Sequence, residues 1–180
     1  VAAVIALVSI GNGVKQDIQN SISSLGSNLL MVMPGAPRTP GVRPSAGSMK
    51  SLKVSDYEAI SKLDGVKAAS PMTNGSYVVI YQNKNWTTSV SGVSYNYLDV
   101  NNWSMKSGRF LSEKNVQNRE RVAVVGKTVV KNLFGDEDPV GAEIRVKNIP
   151  FRIIGVLNSK GSGAMGNDQD DMVIIPYTTA

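Results

Sequence analysis

The chain contains no histidine and no cysteine. Without imidazole or thiol there is no Ser-His-Asp or Cys-His nucleophile, no disulfide staple, no thiolate or imidazole zinc site, and none of the usual ligation of haem or an iron–sulfur cluster. Aromatic residues make up 6% and charged residues 18% of the sequence. What remains is 180 residues that are 42% hydrophobic, enough to bury a core in one domain or two small ones and too apolar for a disordered chain. No repeat with a period of about 20–50 residues is visible. The formal charge of +5 comes from 19 Lys and Arg against 14 Asp and Glu. From Met33 to Lys50 there are cations and no anion, and elsewhere the signs interleave, as in Lys53/Asp56/Glu58 and Arg109/Glu113/Lys114. No basic run is interleaved with aromatics, so a nucleic-acid partner is not expected.

The chain opens Val-Ala-Ala-Val-Ile-Ala-Leu-Val-Ser-Ile, an uncharged run whose apolar members include Val1, Val4, Ile5, Leu7, Val8 and Ile10. Ten helical residues rise about 15 Å, half the hydrocarbon thickness of a bilayer. The run therefore fits the outer end of a transmembrane helix, a signal-peptide remnant or a buried core helix. No basic segment precedes it and no small-x-small site closes it, which weighs against a signal peptide. After Gly11-Asn12-Gly13 the pattern changes: Val14, Ile18, Ile22 and Leu25 form one narrow apolar stripe on a polar helix, and Gly26 supplies the stop. A helix that is apolar all round and then turns amphipathic has the pattern of one leaving lipid for water, with an ordinary buried helix as the other reading.

Asn28–Met33 reads as a buried strand, and the Pro- and Gly-rich segment from Pro34 to Ser48, with Arg38 and Arg43, as a mobile connector or partner-contacting loop. Ser55 and Glu58 suggest a capping box for a helix with Tyr57, Ile60 and Leu63 on its buried face, ending at Asp64-Gly65. Tyr77–Tyr81 and Trp86–Ser94 read as a hairpin joined by residues 82–85. A short helix or turn follows over 95–103, then a strand over 121–125, a helix over 127–134 and strands over 142–146, 151–157 and 172–176. Short strands outnumber scattered helices, which gives the α+β class.

The motifs that carry chemistry are weak. Gly126-Lys127-Thr128 resembles the end of a phosphate loop, but the glycine required five residues earlier is Arg121 and the residues between are a strand. Asp136, Glu137 and Asp138 begin like a calcium loop, yet its twelfth position is Lys147. Asn167, Asp168, Asp170 and Asp171 form an oxygen-rich cluster that reads more simply as a turn whose carboxylates bind loop amides. Asn-x-Ser/Thr triplets begin at Asn74, Asn85 and Asn102 and matter only in a eukaryotic secreted protein.

Several stretches together resemble the extracytoplasmic domain of MacB-like ABC transporter permeases, of the FtsX-like permease superfamily. They are Val1–Gly13, Leu25–Leu30, Leu63–Val66 through Ser70-Pro71, Gly108-Arg109-Phe110, Val122–Val129 through Leu133-Phe134-Gly135, Asp138–Gly141, Phe151–Leu157, and Asp168–Asp171 running to Ile175-Pro176. The resemblance implies a two-lobed α+β domain: an α/β Porter-like lobe with an inserted, mostly β Sabre-like lobe. It implies that 1–12 are the outer end of a first transmembrane helix, 13–26 a stalk helix, 27–76 an incomplete Porter-like lobe, 77–177 mainly the Sabre-like lobe, and 178–180 the start of a return segment. It further implies a permease of the inner membrane with this domain on the periplasmic side. The expected partners are a second permease copy, a nucleotide-binding domain that holds ATP and Mg²⁺, and a periplasmic adaptor. No catalytic residue, cofactor or metal is expected within these residues. Arg38, Arg43, Asn167 and Asp168 are the candidate partner contacts. Two other readings remain: a solute- or peptide-binding module with Tyr77, Tyr81, Trp86, Tyr95, Tyr97 and Trp103 lining a cleft, and an envelope hydrolase with paired carboxylates.

Overall fold

The computed structural model describes residues 29–34, 52–163 and 166–180. A hairpin dominates the first half. Strands β1 (Met72–Tyr81) and β2 (Lys84–Val93) pair without interruption from Met72↔Val93 to Tyr81↔Lys84. The hairpin expected from sequence is thus longer at its start, and its turn is Gln82-Asn83 alone, with Gln82 at φ +50. Met72–Ser76 is exposed or half-exposed, so its residues lack the apolar alternation that marks a strand, and the expected lobe boundary at 76/77 falls inside β1.

The remaining elements are α1 (Val54–Ile60), α2 (Tyr97–Asn101), β3 (Met105–Gly108), α3 (Glu113–Gln117), β4 (Val122–Val125), α4 (Lys127–Leu133), β5 (Glu143–Val146), β6 (Ile149–Leu157) and β7 (Met172–Pro176). Strand order is β3-β6-β4-β7-β2-β1-β5, and β5 also pairs with β6. That second pairing curls the sheet into a six-stranded barrel with β3 outside the ring. β6 serves three neighbours because it is long: Ile149–Arg152 pair with β5, Gly155–Leu157 with β3, and its opposite edge with β4. Pro150 lies within β6 opposite Arg145 rather than in the connector. The turn is Lys147-Asn148, both at positive φ, so Val146↔Ile149 is the bonded closing pair. The next position needs no N–H toward β5, and proline is tolerated there.

Each of the six barrel strands contributes to the inner core, among them Val79, Val90, Val125, Ile144, Ile153 and Val173, and α4 adds Val129 and Leu133 with Phe134 beyond it. Burying such a side chain is worth about 1.5–3 kcal/mol. An outer core lies on the other face, where Tyr97, Leu111 and Leu157 cover Val93, Val122, Val124 and Ile174. Alternation along β4 thus divides four apolar residues between two cores, and a bulge in β6 does the same. Ala123 opposes Ile153 and Val124 opposes Gly155, so Ile154 is an extra residue that turns to the outer core.

Two expectations fail in the segments before β1. Leu29–Met33 is not a buried strand: it has no regular structure, and Leu30 is 85% exposed, because no described strand lies beside it to accept its hydrogen bonds. Helix α1 is capped two residues earlier than the Ser55/Glu58 pattern suggests. The Asp56 carboxylate accepts from the Lys53 amide at 2.7 Å, the acidic half of a box whose other half an ammonium has no lone pair to supply. The helix ends at Ile60 rather than Asp64, none of its residues is buried, and Leu63 is 59% exposed.

Candidate functional site

Of the site residues read from sequence, Val1, Val4, Ile5, Leu7, Val8, Ile10, Val14, Ile18, Ile22, Leu25, Arg38 and Arg43 lie outside the described residues. Asn167 and Asp168 are placed, and both are exposed on the loop between β6 and β7. The loop is fastened by its own carboxylates. Asp170, only 4% exposed, accepts from the Lys160 amide at 2.7 Å, from the Gly161 amide at 3.2 Å and from the Ser159 hydroxyl. Asp168 accepts from the Thr128 hydroxyl at 2.6 Å and the Asp170 amide at 2.8 Å, and Asp171 from the Trp86 indole at 2.8 Å. Lys160 crosses the loop base to the Asn101 carbonyl at 2.7 Å and lies over the Trp103 ring at 4.7 Å; burial lowers its pKa. The acidic cluster therefore acts as a set of ties, with both oxygens of Asp168 and Asp170 and one of Asp171 engaged by N–H or O–H donors, as the turn reading of these residues proposed.

The apparent phosphate loop has the same explanation. The Gly126 amide donates to the Met172 carbonyl at 2.9 Å and the Thr128 amide to the Asp170 carbonyl at 3.3 Å. A Cβ on residue 126 would lie 2.2 Å from the Asp170 carbonyl oxygen. Glycine stands there so that the carboxylate loop can close on α4, and those two amides are already engaged.

Among the described residues the six aromatics are not gathered around one opening. Tyr77, Tyr81 and Trp86 pack on the inner core and Trp103 on the outer one, Tyr97 is buried in the outer core, and Tyr95 is surface. Tyr81 stacks on Phe134 with centroids 4.0 Å apart, and Lys147 sits 4.2 Å over Tyr77. A shallow polar depression is lined by Ile80, Gln82, Glu143 and Arg145.

At the opposite end of the barrel, β2 and β7 run parallel and stop together at Val93↔Pro176. The Tyr177 amide extends the ladder to the Val93 carbonyl at 3.0 Å, and the Ser94 amide donates to the Ser70 hydroxyl at 3.1 Å. Tyr57 of α1 meets Tyr177 edge-on, with centroids 6.4 Å apart and planes at 65°. Burial keeps the Tyr57 phenol above its ordinary value, against the smaller opposing effect of the nearby Ser94 side chain. Sequence reasoning placed Tyr57 on a buried helix face but missed this junction, because the partners lie 37 and 120 positions away.

These elements match known proteins along their whole length. The family model described as the MacB-like periplasmic core domain matches residues 1–180. The chain belongs to this family. The MacB-like core domain is 44% identical over 182 residues to the macrolide export ATP-binding/permease protein MacB of Rhodospirillum rubrum, and 39% identical over 179 residues to that of Marinobacter nauticus. It covers 100% and 99% of this chain in the two matches and 27% of each relative, so the chain spans about a quarter of their length. The crystal structure of the periplasmic region of MacB from Actinobacillus actinomycetemcomitans superposes with a TM-score of 0.69 at 28% identity, covering 88% of this chain and 69% of that one. The extracellular domain of the noncanonic ABC-type transporter YknZ shares the fold, with a TM-score of 0.59 at 21% identity over 68% of this chain and 61% of that one. Among the described residues no helix is long and apolar enough to cross a membrane, and no group of acidic residues is arranged to hold a metal.

Proposed function

We propose that this MacB-like periplasmic domain belongs to an inner-membrane permease and passes on movement produced by ATP binding and hydrolysis elsewhere in the protein. The observation that carries the reading is the family match over residues 1–180, within relatives whose names combine an ATP-binding and a permease part. The structure supports it in a specific way. The barrel is packed on both faces, its β6–β7 loop is tied at the base, and Tyr77, Tyr81, Trp86, Tyr97 and Trp103 pack on its two cores. Such a body is suited to being moved and to touching a partner.

In this reading ATP and Mg²⁺ are held by a nucleotide-binding domain, two permease copies act together, and a periplasmic adaptor meets the domain at exposed loops that include Asn167 and Asp168. The apolar run at Val1–Ile10 and the stripe Val14, Ile18, Ile22 and Leu25 form the helix that leaves the membrane and drives the domain. Proline substituted for Ile18 or Ile22 breaks a helix at a cost of about 3 kcal/mol. In the full-length transporter either change is expected to leave ATP turnover while abolishing export, and undiminished export would overturn the reading.

A further inference from the structure

We propose that Tyr57 is the joint that fixes α1 to the barrel, by seating its ring against Tyr177 where β2 and β7 end together. The inference deepens the force-transmission reading and rests on it, since a body can pass on movement only if the element that precedes it is held at a defined angle. Helix α1 has seven residues and buries none of them, with Val54 exposed at its start and Leu63 exposed beyond its end. Its ring contact is made to a fixed point. Ser94 is 1% exposed and follows the last residue of β2, Tyr177 follows the last residue of β7, and the two strands are bonded in register up to that position. The linker that returns from α1 to β1 reaches the same place, where Ser70 accepts from the Ser94 amide. Strand ends β2 and β7 and the approach to β1 therefore converge on one junction, and Tyr57 is the side chain α1 inserts into it. Gly92 permits the convergence, because a Cβ there would stand 3.1 Å from the Tyr177 Cα and closer still to the Thr73 hydroxyl.

The test uses the full-length transporter with spin labels at Lys62→Cys, just beyond α1, and Asn85→Cys, on β2, with pulsed dipolar distances recorded with and without ATP. The parent is expected to give one narrow distance, kept in both states. Tyr57→Ala is expected to raise the population at other distances about two- to tenfold, the span of an aromatic edge contact, whereas Tyr57→Phe, which keeps the ring, stays close to the parent. A Tyr57→Ala distribution as narrow as the parent's would overturn the joint. Should that variant fail to accumulate, Tyr57→Leu keeps apolar bulk without the ring and the same comparison decides. Export measured in parallel separates the two ideas: a broadened distance with undiminished export keeps the joint and overturns force transmission through it, and an unchanged distance overturns the joint while force transmission is decided by the proline variants at Ile18 and Ile22.

Discussion

Tyr97 is 7% exposed, its ring lies in the outer core, and burial pushes its phenol above the ordinary value of 10.0. Tyr57 is shifted the same way, chiefly by burial, so both favour the neutral form in the folded state. An unfolded tyrosine gives up its proton near pH 10, before the folded one does. Above that pH the unfolded state binds fewer protons, and stability falls as pH rises. Lys160 works in the opposite direction, because burial lowers its pKa from 10.5 and the folded state loses that proton first. Tyr97→Phe removes one alkaline contribution and leaves Lys160 untouched. Urea unfolding of the domain at about pH 7 and about pH 11 is therefore expected to show a smaller alkaline loss in the variant than in the parent; equal losses would mean that the Tyr97 phenol is not held neutral by burial. At this scale the sequence was partly legible. The ties made by Asp168 and Asp170 follow from residue type and turn context. Tyr57 does not, since an aromatic on a short helix looks the same whether it fills a core or clamps a junction.

Elements were legible where one face is consistently apolar. Strand β7 falls at Met172–Pro176 as read, and α4 and β4 differ from expectation by a residue, because Val122–Val125 and Val129/Leu133 bury without exception. Strand β3 went unread because Met105-Lys106-Ser107-Gly108 is largely exposed and carries no alternation. Helix α3 is a single turn started by Ser112, whose hydroxyl caps the Asn115 amide. The bulge in β6 depends on a neighbour rather than on local pattern, and it sets a requirement at Gly155. A Cβ there would meet the Arg109 carbonyl oxygen and the Met105 methyl, both at 2.5 Å. Gly135, at φ +68, has nothing within 4 Å of its Cβ position. Gly155→Ala is thus expected to cost about 2–3 kcal/mol by crowding backbone against backbone, and Gly135→Ala only about 1 kcal/mol of conformational strain. Paired chemical melts check the order. If Gly135→Ala proved the more damaging, the close packing of β3 on the bulge would not be what demands glycine.

Closure of the whole sheet was the least legible feature, since it joins residues with nothing in common locally. β5 lies more than sixty positions from its partner in β1, and only Val79↔Val146 and Ile80↔Arg145 register that seam, against ten paired positions in the β1–β2 hairpin. The family resemblance could indicate a β-rich lobe but not where its ring would be thinnest. Side chains compensate for the short seam: Ile144 and Val146 from β5 enter the same core as Val79 and Phe151, so the barrel is held shut mainly by apolar contact and less by its ladder. A contact of that kind opens without unfolding the rest, whereas β2, β7, β4 and β6 contribute side chains to both cores and β1 and β5 to the inner one alone. Native-state hydrogen exchange is expected to show the hydrogen-bonded amides of the β1–β5 seam opening with a free energy several kcal/mol below that of Val124 and Ile174. Ile144→Ala, which empties a fully buried site at a cost of about 2–5 kcal/mol, should lower the seam's protection along with overall stability. Seam amides exchanging only through the global unfolding reaction would mean that the ring opens as one unit, with β5 as firmly held as the central strands.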